Sequence, residues 1–215
     1  EYDAADRLKK MAIELGHPED VLHWHDIGRL DNVQNFLNDG WETNGVEKFF
    51  RAVSDRLDWS GFAYMAMDSF PSEWVEQMSD RWAVNEADGF FRFGSLSTTA
   101  FKDWNQQSDV FAFTPDTNWF AITGMYEHHA CKNANTCTLG HLKNYNIEWG
   151  IPVAPEALDI NGDPWGDQYS NFNAGKILLY IEGILGLKYS VLDDSFTVTD
   201  HLPMEWDFME TIVPI

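Results

Sequence analysis

Asn171-Phe-Asn-Ala-Gly-Lys-Ile-Leu-Leu-Tyr-Ile-Glu-Gly-Ile-Leu-Gly-Leu187 is the stretch on which the fold reading turns. Asn173 suits a helix N-cap, and Ala174–Gly186 is apolar almost all round. A helix without a polar face has to be buried, so this one is expected at the centre of the molecule. Glu182 interrupts it. A buried carboxylate needs a partner or a raised pKa, and a structural ion pair is a better explanation of it than catalysis. Lys176 is one candidate partner, although six residues away it falls on a different face. The apolar run Ile177–Leu187 is broken by Glu182 and two glycines and falls short of the roughly 20 residues a membrane span requires.

Outward from this helix, Phe196-Thr-Val-Thr alternates like a strand and leads into His201-Leu-Pro. Upstream, 148–172 is a long loop rich in Pro, Gly, Asp and Trp, and 94–117 is another. Long loops in compact domains commonly carry function. Helices are expected over 1–15, where Leu8, Met11, Ala12 and Leu15 share a face before Gly16 and Pro18, and over 30–38 and 46–57. Further helices are expected over 73–82 after Ser72, from Asn118 to about His129, and over 138–145. Phe90–Phe93 reads as a strand after the Asp88-Gly89 turn. The order predicts a mainly α fold: an α-hairpin toroid, a partial (α/α)6 barrel, over 1–190, with a short C-terminal β element or the start of a β-sandwich over 191–215. Glu1 is not an initiator Met, and Thr211–Ile215 reads as a strand stopped midway. Both suggest a piece of a longer precursor.

Composition narrows the function. Fourteen Lys+Arg against 35 Asp+Glu give a net charge of −21. Such a surface repels phosphate backbones, which argues against nucleic-acid partners, and disfavours polyanionic polysaccharides. Ten Trp, 15 Phe and 7 Tyr make the chain 15% aromatic. A large aromatic core accounts for most of them; a cleft that stacks sugar rings is the sharper reading. Cys131 and Cys137, in Cys-Lys-Asn-Ala-Asn-Thr-Cys, could close a local disulfide or remain two free thiols. A disulfide would place the protein in a secreted or extracytoplasmic setting. There is no N-x-S/T sequon, no Gly-x-Ser-x-Gly and no phosphate-binding glycine loop, so nucleotide cofactors are not expected.

Asn171–Leu187, followed by Asp194-Ser-Phe-Thr-Val198 and Leu202-Pro-Met-Glu-Trp206, resembles the last inner helix and following strands of the six-hairpin, (α/α)6-toroid glycosidases. The resemblance is strongest over 118–206. It implies the C-terminal half of a longer toroid, completed by a missing N-terminal segment or a companion chain, and a glycan as substrate or ligand.

Glycoside hydrolysis needs two carboxyl groups across the scissile bond, one held protonated. Asp116 before an inner helix, Glu148 beside Trp149, and Asp167 before the apolar helix are the candidates. Asp116 and Asp167 serve equally well as caps or turn formers. Trp104, Trp119, Trp149 and Trp165, with Tyr169 and His25, are candidate sugar contacts. Asp159-Ile-Asn161-Gly-Asp163 resembles the first half of a calcium loop, but Pro164 replaces the loop glycine and Ser170 the closing Glu; a solvated turn explains it as well. His23 and His25 would share a face in a strand and invite a metal, although no third ligand is apparent. The expectation is a glycoside hydrolase acting on a neutral glycan. The alternatives are a non-catalytic carbohydrate-binding or structural protein on the same scaffold, or a polysaccharide lyase.

Overall fold

The structure, a computed structural model, describes residues 2–28, 32–41, 48–51, 57–98, 100–101, 113–143, 155–168, 175–191 and 193–210. It is mainly helical, with three short antiparallel strand pairs. The elements are α1 (Tyr2–Glu14), α2 (Pro18–Gly28), α3 (Val33–Gly40), α4 (Ser60–Ala63), α5 (Ser72–Met78), β1 (Phe91–Arg92), β2 (Ser95–Leu96), α6 (Pro115–Glu127), α7 (Cys131–His141), β3 (Pro155–Leu158), β4 (Pro164–Gln168), α8 (175–184), β5 (Leu187–Ser190) and β6 (Ser195–Val198). Both α5 and α8 widen into π-helix, at Ser79–Ala83 and Leu179–Ile184.

The aromatic residues go largely into the core. Phe49, Phe50, Phe62, Phe70, Phe90 and Trp82 are fully buried. Phe49 stacks on Phe90 at 5.6 Å, and Phe62 meets Phe90 edge-on at 4.7 Å. Trp41 and Trp74 stack at 4.3 Å. Each such pair adds about 0.5–1.5 kcal/mol beyond the area it buries.

The central helix is α6, not α8. Ala121, Ile122, Met125 and Tyr126 of α6 are buried, and Gly124 lies so close to the Met65 backbone that a Cβ could not fit. On α8, Leu179, Gly183 and Ile184 are buried, but Ile177 is 53% exposed and Leu178 and Ile181 also face outward. An all-apolar sequence therefore does not give an all-buried helix here. Glu182 is only half-buried, so its expected need for an internal partner lapses.

Other local expectations are corrected. Residues 48–51 are not helical: Phe50 bridges Trp41, and the Arg51 amide donates to the Gly40 carbonyl at 2.7 Å. Residues 42–47 and 52–56 lie outside the described residues. Pro115 opens α6, and Asn118 is no cap. Its buried amide instead pairs with β2, accepting from the Leu96 amide at 2.6 Å and donating to the Leu96 carbonyl at 3.1 Å and the Thr114 carbonyl at 2.9 Å. One side chain thus supplies the edge that a neighbouring strand would supply. The β1–β2 turn places Phe93 and Gly94 at φ 53° and 70°, the backbone a two-residue hairpin demands. The helix expected over 138–145 begins seven residues earlier, at Cys131. The β5–β6 hairpin straddles the expected 190/191 boundary.

Helix α7 also decides the cysteines. Six residues apart on a helix, Cys131 and Cys137 are separated by about 9 Å along the axis, beyond the Cα spacing a disulfide tolerates. Both are free thiols. The localisation drawn from a disulfide loses that support. No helix among the described residues is long and apolar enough to cross a membrane.

Candidate functional site

The two acidic, Trp-bearing connections meet. Phe113 and Leu158 form an antiparallel bridge, with the Phe113 amide donating to the Leu158 carbonyl at 3.2 Å and the Leu158 amide to the Phe113 carbonyl at 2.8 Å. Phe113 also bridges Ser97, just after β2. The β1–β2 hairpin, Phe113 and the β3–β4 hairpin therefore form one patchwork of short strands at the start of α6. The β3–β4 turn rests on Phe93, since a Cβ on Gly162 would strike its ring.

On this surface the predicted residues divide. Asp167 and Trp165 lie exposed on β4, Trp165 at 38%. Asp116 lies in the first turn of α6, but its side chain is outside the described residues. Glu148, Trp104, Trp149 and Tyr169 also lie outside them. Trp119 is drawn away: it packs on Gly175 of α8 and lines a hollow of only about 40 Å³ with Tyr126 and Glu182. That hollow is small beside the roughly 300–1,000 Å³ of a typical ligand pocket. His25 lies on α2, which packs on α1 and makes no extended contact with the β3–β4 hairpin among the described residues. Because α2 is a helix, His23 and His25 point about 160° apart around its axis, and the shared face a strand would give them disappears.

The Asp159–Asp163 segment is a turn that uses its own carboxylate. Asp159 Oδ1 accepts from the Asn161 amide at 2.8 Å and the Asp163 amide at 2.9 Å, and Gly162 takes φ 86°. Burial would raise the Asp159 carboxyl, but these amides outweigh it and hold the group below its usual range. These bonds build the solvated turn that the sequence offers beside the calcium reading. Among the described residues, only His17, Glu19 and Asp20 bring three His, Cys, Asp or Glu ligand atoms within 4.8 Å of one another. They are exposed at the start of α2, where acidic side chains complement the helix dipole and Glu19 pairs with His17 at 3.2 Å.

A second concave surface lies apart from these residues. A cleft of about 460 Å³ lies between α7 and residues 200–205. His201 forms its inner wall and is only 6% exposed. Its Nδ1 donates to the Gly183 carbonyl at 2.9 Å, its ring stacks on Tyr126 at 5.3 Å, and its carbonyl accepts from Asn135 at 2.8 Å. Tyr126 in turn donates to Asn135 Oδ1 at 2.8 Å. This network ties α6, α7 and α8 to the C-terminal segment. The Nδ1 donation leaves Nε2 as an acceptor; it is buried, with no hydrogen-bond partner among the described residues. Cys131 opens onto the same cleft, but burial and the nearby Asp200 charge push its thiol up, despite the opposing amide at the helix start. The only sequence trace of this cleft is the His201-Leu-Pro run after β6.

No protein-family profile matches the chain, and no curated protein matches it either.

Proposed function

We propose that this protein binds a neutral glycan on the surface where the start of α6 meets the β3–β4 hairpin. The observation that carries the proposal is the Phe113–Leu158 bridge, which joins the two connections singled out by their carboxylates and indoles. The hairpin carries the partly exposed Trp165 ring and, along the same strand and turn, the exposed Asp163 and Asp167 carboxylates. An apolar ring face flanked by acceptors is what a sugar, with C–H faces and a hydroxyl rim, requires. The absence of positive charge on β4 and its turn favours a neutral glycan over a uronate. The toroidal arrangement belongs to this proposal: the packing of α6 on α7 and of α7 on α8 is the kind a ring of helical hairpins uses.

Hydrolysis is the second reading, favoured by the location of Asp116 and Asp167 on elements joined by the bridge. It needs one carboxyl sheltered enough to stay protonated, and Asp167 is open to solvent. Binding therefore ranks first.

Titration calorimetry against neutral hexaoses of the cello-, xylo-, manno- and malto- series, with a parallel reducing-end assay, tests both readings. Binding that falls at least 10-fold in Trp165→Ala at unchanged melting temperature supports the proposal. Reducing ends that vanish in Asp167→Asn support hydrolysis. Failure to bind any of the four at millimolar concentration refutes the glycan reading.

A further inference from the structure

The cleft between α7 and residues 200–205 has no part in the glycan proposal. Its apolar lining is Leu139, Leu202, Pro203 and Met204, and Asp200 and Glu205 stand on the same lining. Lys132 is the one Lys or Arg among the described residues of the lining. The surface continues along the C-terminal segment, where Met204 is 95% exposed and Phe208 78%. From Tyr189 to Glu210 the chain carries Asp193, Asp194, Asp200, Glu205, Asp207 and Glu210 and no Lys or Arg. An apolar hollow with two carboxylates on its lining therefore continues into an acidic, exposed segment.

We propose that this cleft docks a cationic amphipathic helix from a partner polypeptide, with an apolar side chain entering beside Leu139 and Leu202 and Lys or Arg side chains meeting Asp200 and Glu205. Charge complementarity selects this occupant. A second copy would bring the same acidic face and a net charge of −21 against its own kind. An anionic lipid surface would be repelled for the same reason. Helix-in-groove recognition needs apolar anchors at helical spacing, and an exposed Met is suited to them because its thioether chain re-packs around different shapes. His201 and its bonds to Gly183 and Asn135 hold the inner wall rigid while Met204 at the mouth is free to adapt.

The probe is a fluorescent 18-residue Leu/Lys peptide with Leu at helical spacing, read by anisotropy against the full chain at about 0.15 M salt, where exposed charges act over only about 8 Å. A scrambled peptide of the same composition keeps the charge and removes the apolar face. The expected results are micromolar binding of the amphipathic peptide, at least 5-fold weaker binding of the scrambled one, at least 5-fold weakening by Met204→Ser, and at least 3-fold by Glu205→Gln. Glu86→Gln, an exposed carboxylate elsewhere, should change binding less than 2-fold. All three replaced side chains are exposed, and equal melting temperatures confirm that the variants fold. Equal binding of both peptides, no effect of Met204→Ser, or no binding at 100 µM protein (a concentration of about ten times the expected Kd) would overturn the proposal.

Discussion

Acidification should unfold this protein partly through one histidine. His141, at the end of α7, is fully enclosed; burial, with Lys176 adding repulsion, pulls its pKa down to about 3. Its Nε2 lies 3.3 Å from Ser95 Oγ, so the neutral ring has a use in the native state. In the unfolded chain the same ring titrates near its ordinary value of about 6.5. Above that pH neither state is charged and the group contributes no pH dependence. Between about 6.5 and about 3 the unfolded chain binds a proton that the native one does not, so stability falls as pH falls. At pH 4.5 the loss is about 2.7 kcal/mol, from about 1.36 kcal/mol per unit over two units. Asp88, held low chiefly by its Arg81 hydrogen bonds, loses its contribution only at lower pH, as does Asp159. The isolating measurement is denaturant unfolding of the natural chain and His141→Gln from pH 8 to 4.5. The stability difference between them should shrink by about 2–3 kcal/mol over that range. A constant difference, or a His141 ring proton resonance titrating near pH 6.5 in the native protein, would refute the reasoning.

Asn118→Ala should cost about 2–4 kcal/mol, because the Leu96 amide and carbonyl would both lose their buried partner; chemical denaturation measures it, and a cost under about 1 kcal/mol would show that β2 finds another partner. Gly124→Ala should destabilise by about 2–4 kcal/mol despite the better helix propensity of Ala, since the new methyl meets the Met65 backbone and not a movable side chain; a melting temperature at or above that of the natural chain would contradict the contact. Two free thiols per chain should titrate in denaturant without reductant. In the native state Cys131 should react slowly and Cys137, buried and pushed up to about 12, not at all; a mass gain of two protons on reduction would instead reveal a disulfide.

Much of the helical layout was legible in the sequence because its punctuation is local. Gly16 takes φ 73° and ends the first helix, and the Asp88-Gly89 turn precedes the first hairpin, but α2 was not expected and α6 opens at Pro115, not at Asn118. Strand β6 followed from simple alternation over Phe196–Thr199. Burial was not legible in the same way. Apolar content alone placed the 174–186 helix at the centre, yet α6, with Asn118, Thr123 and Gly124 in its sequence, took that place because Gly124 admits the Met65 backbone. The candidate site was half legible: the sequence marked the two connections, while the bridge between Phe113 and Leu158 spans 45 residues and leaves no periodic trace. The second cleft was invisible, because its walls come from α7 and from a segment some 60 residues later.

The sequence by itself determined the net charge of −21, the aromatic supply, the absence of a long apolar span and some of the helix ends, since each is a sum over residues or a property of neighbouring ones. Tertiary structure alone decided which helix is enclosed, which indoles become core and which remain open, that Cys131 and Cys137 stand apart on one helix, and where concave surface forms. Those outcomes depend on which distant surfaces fit together, and shape complementarity is a property of pairs of elements that no single segment encodes.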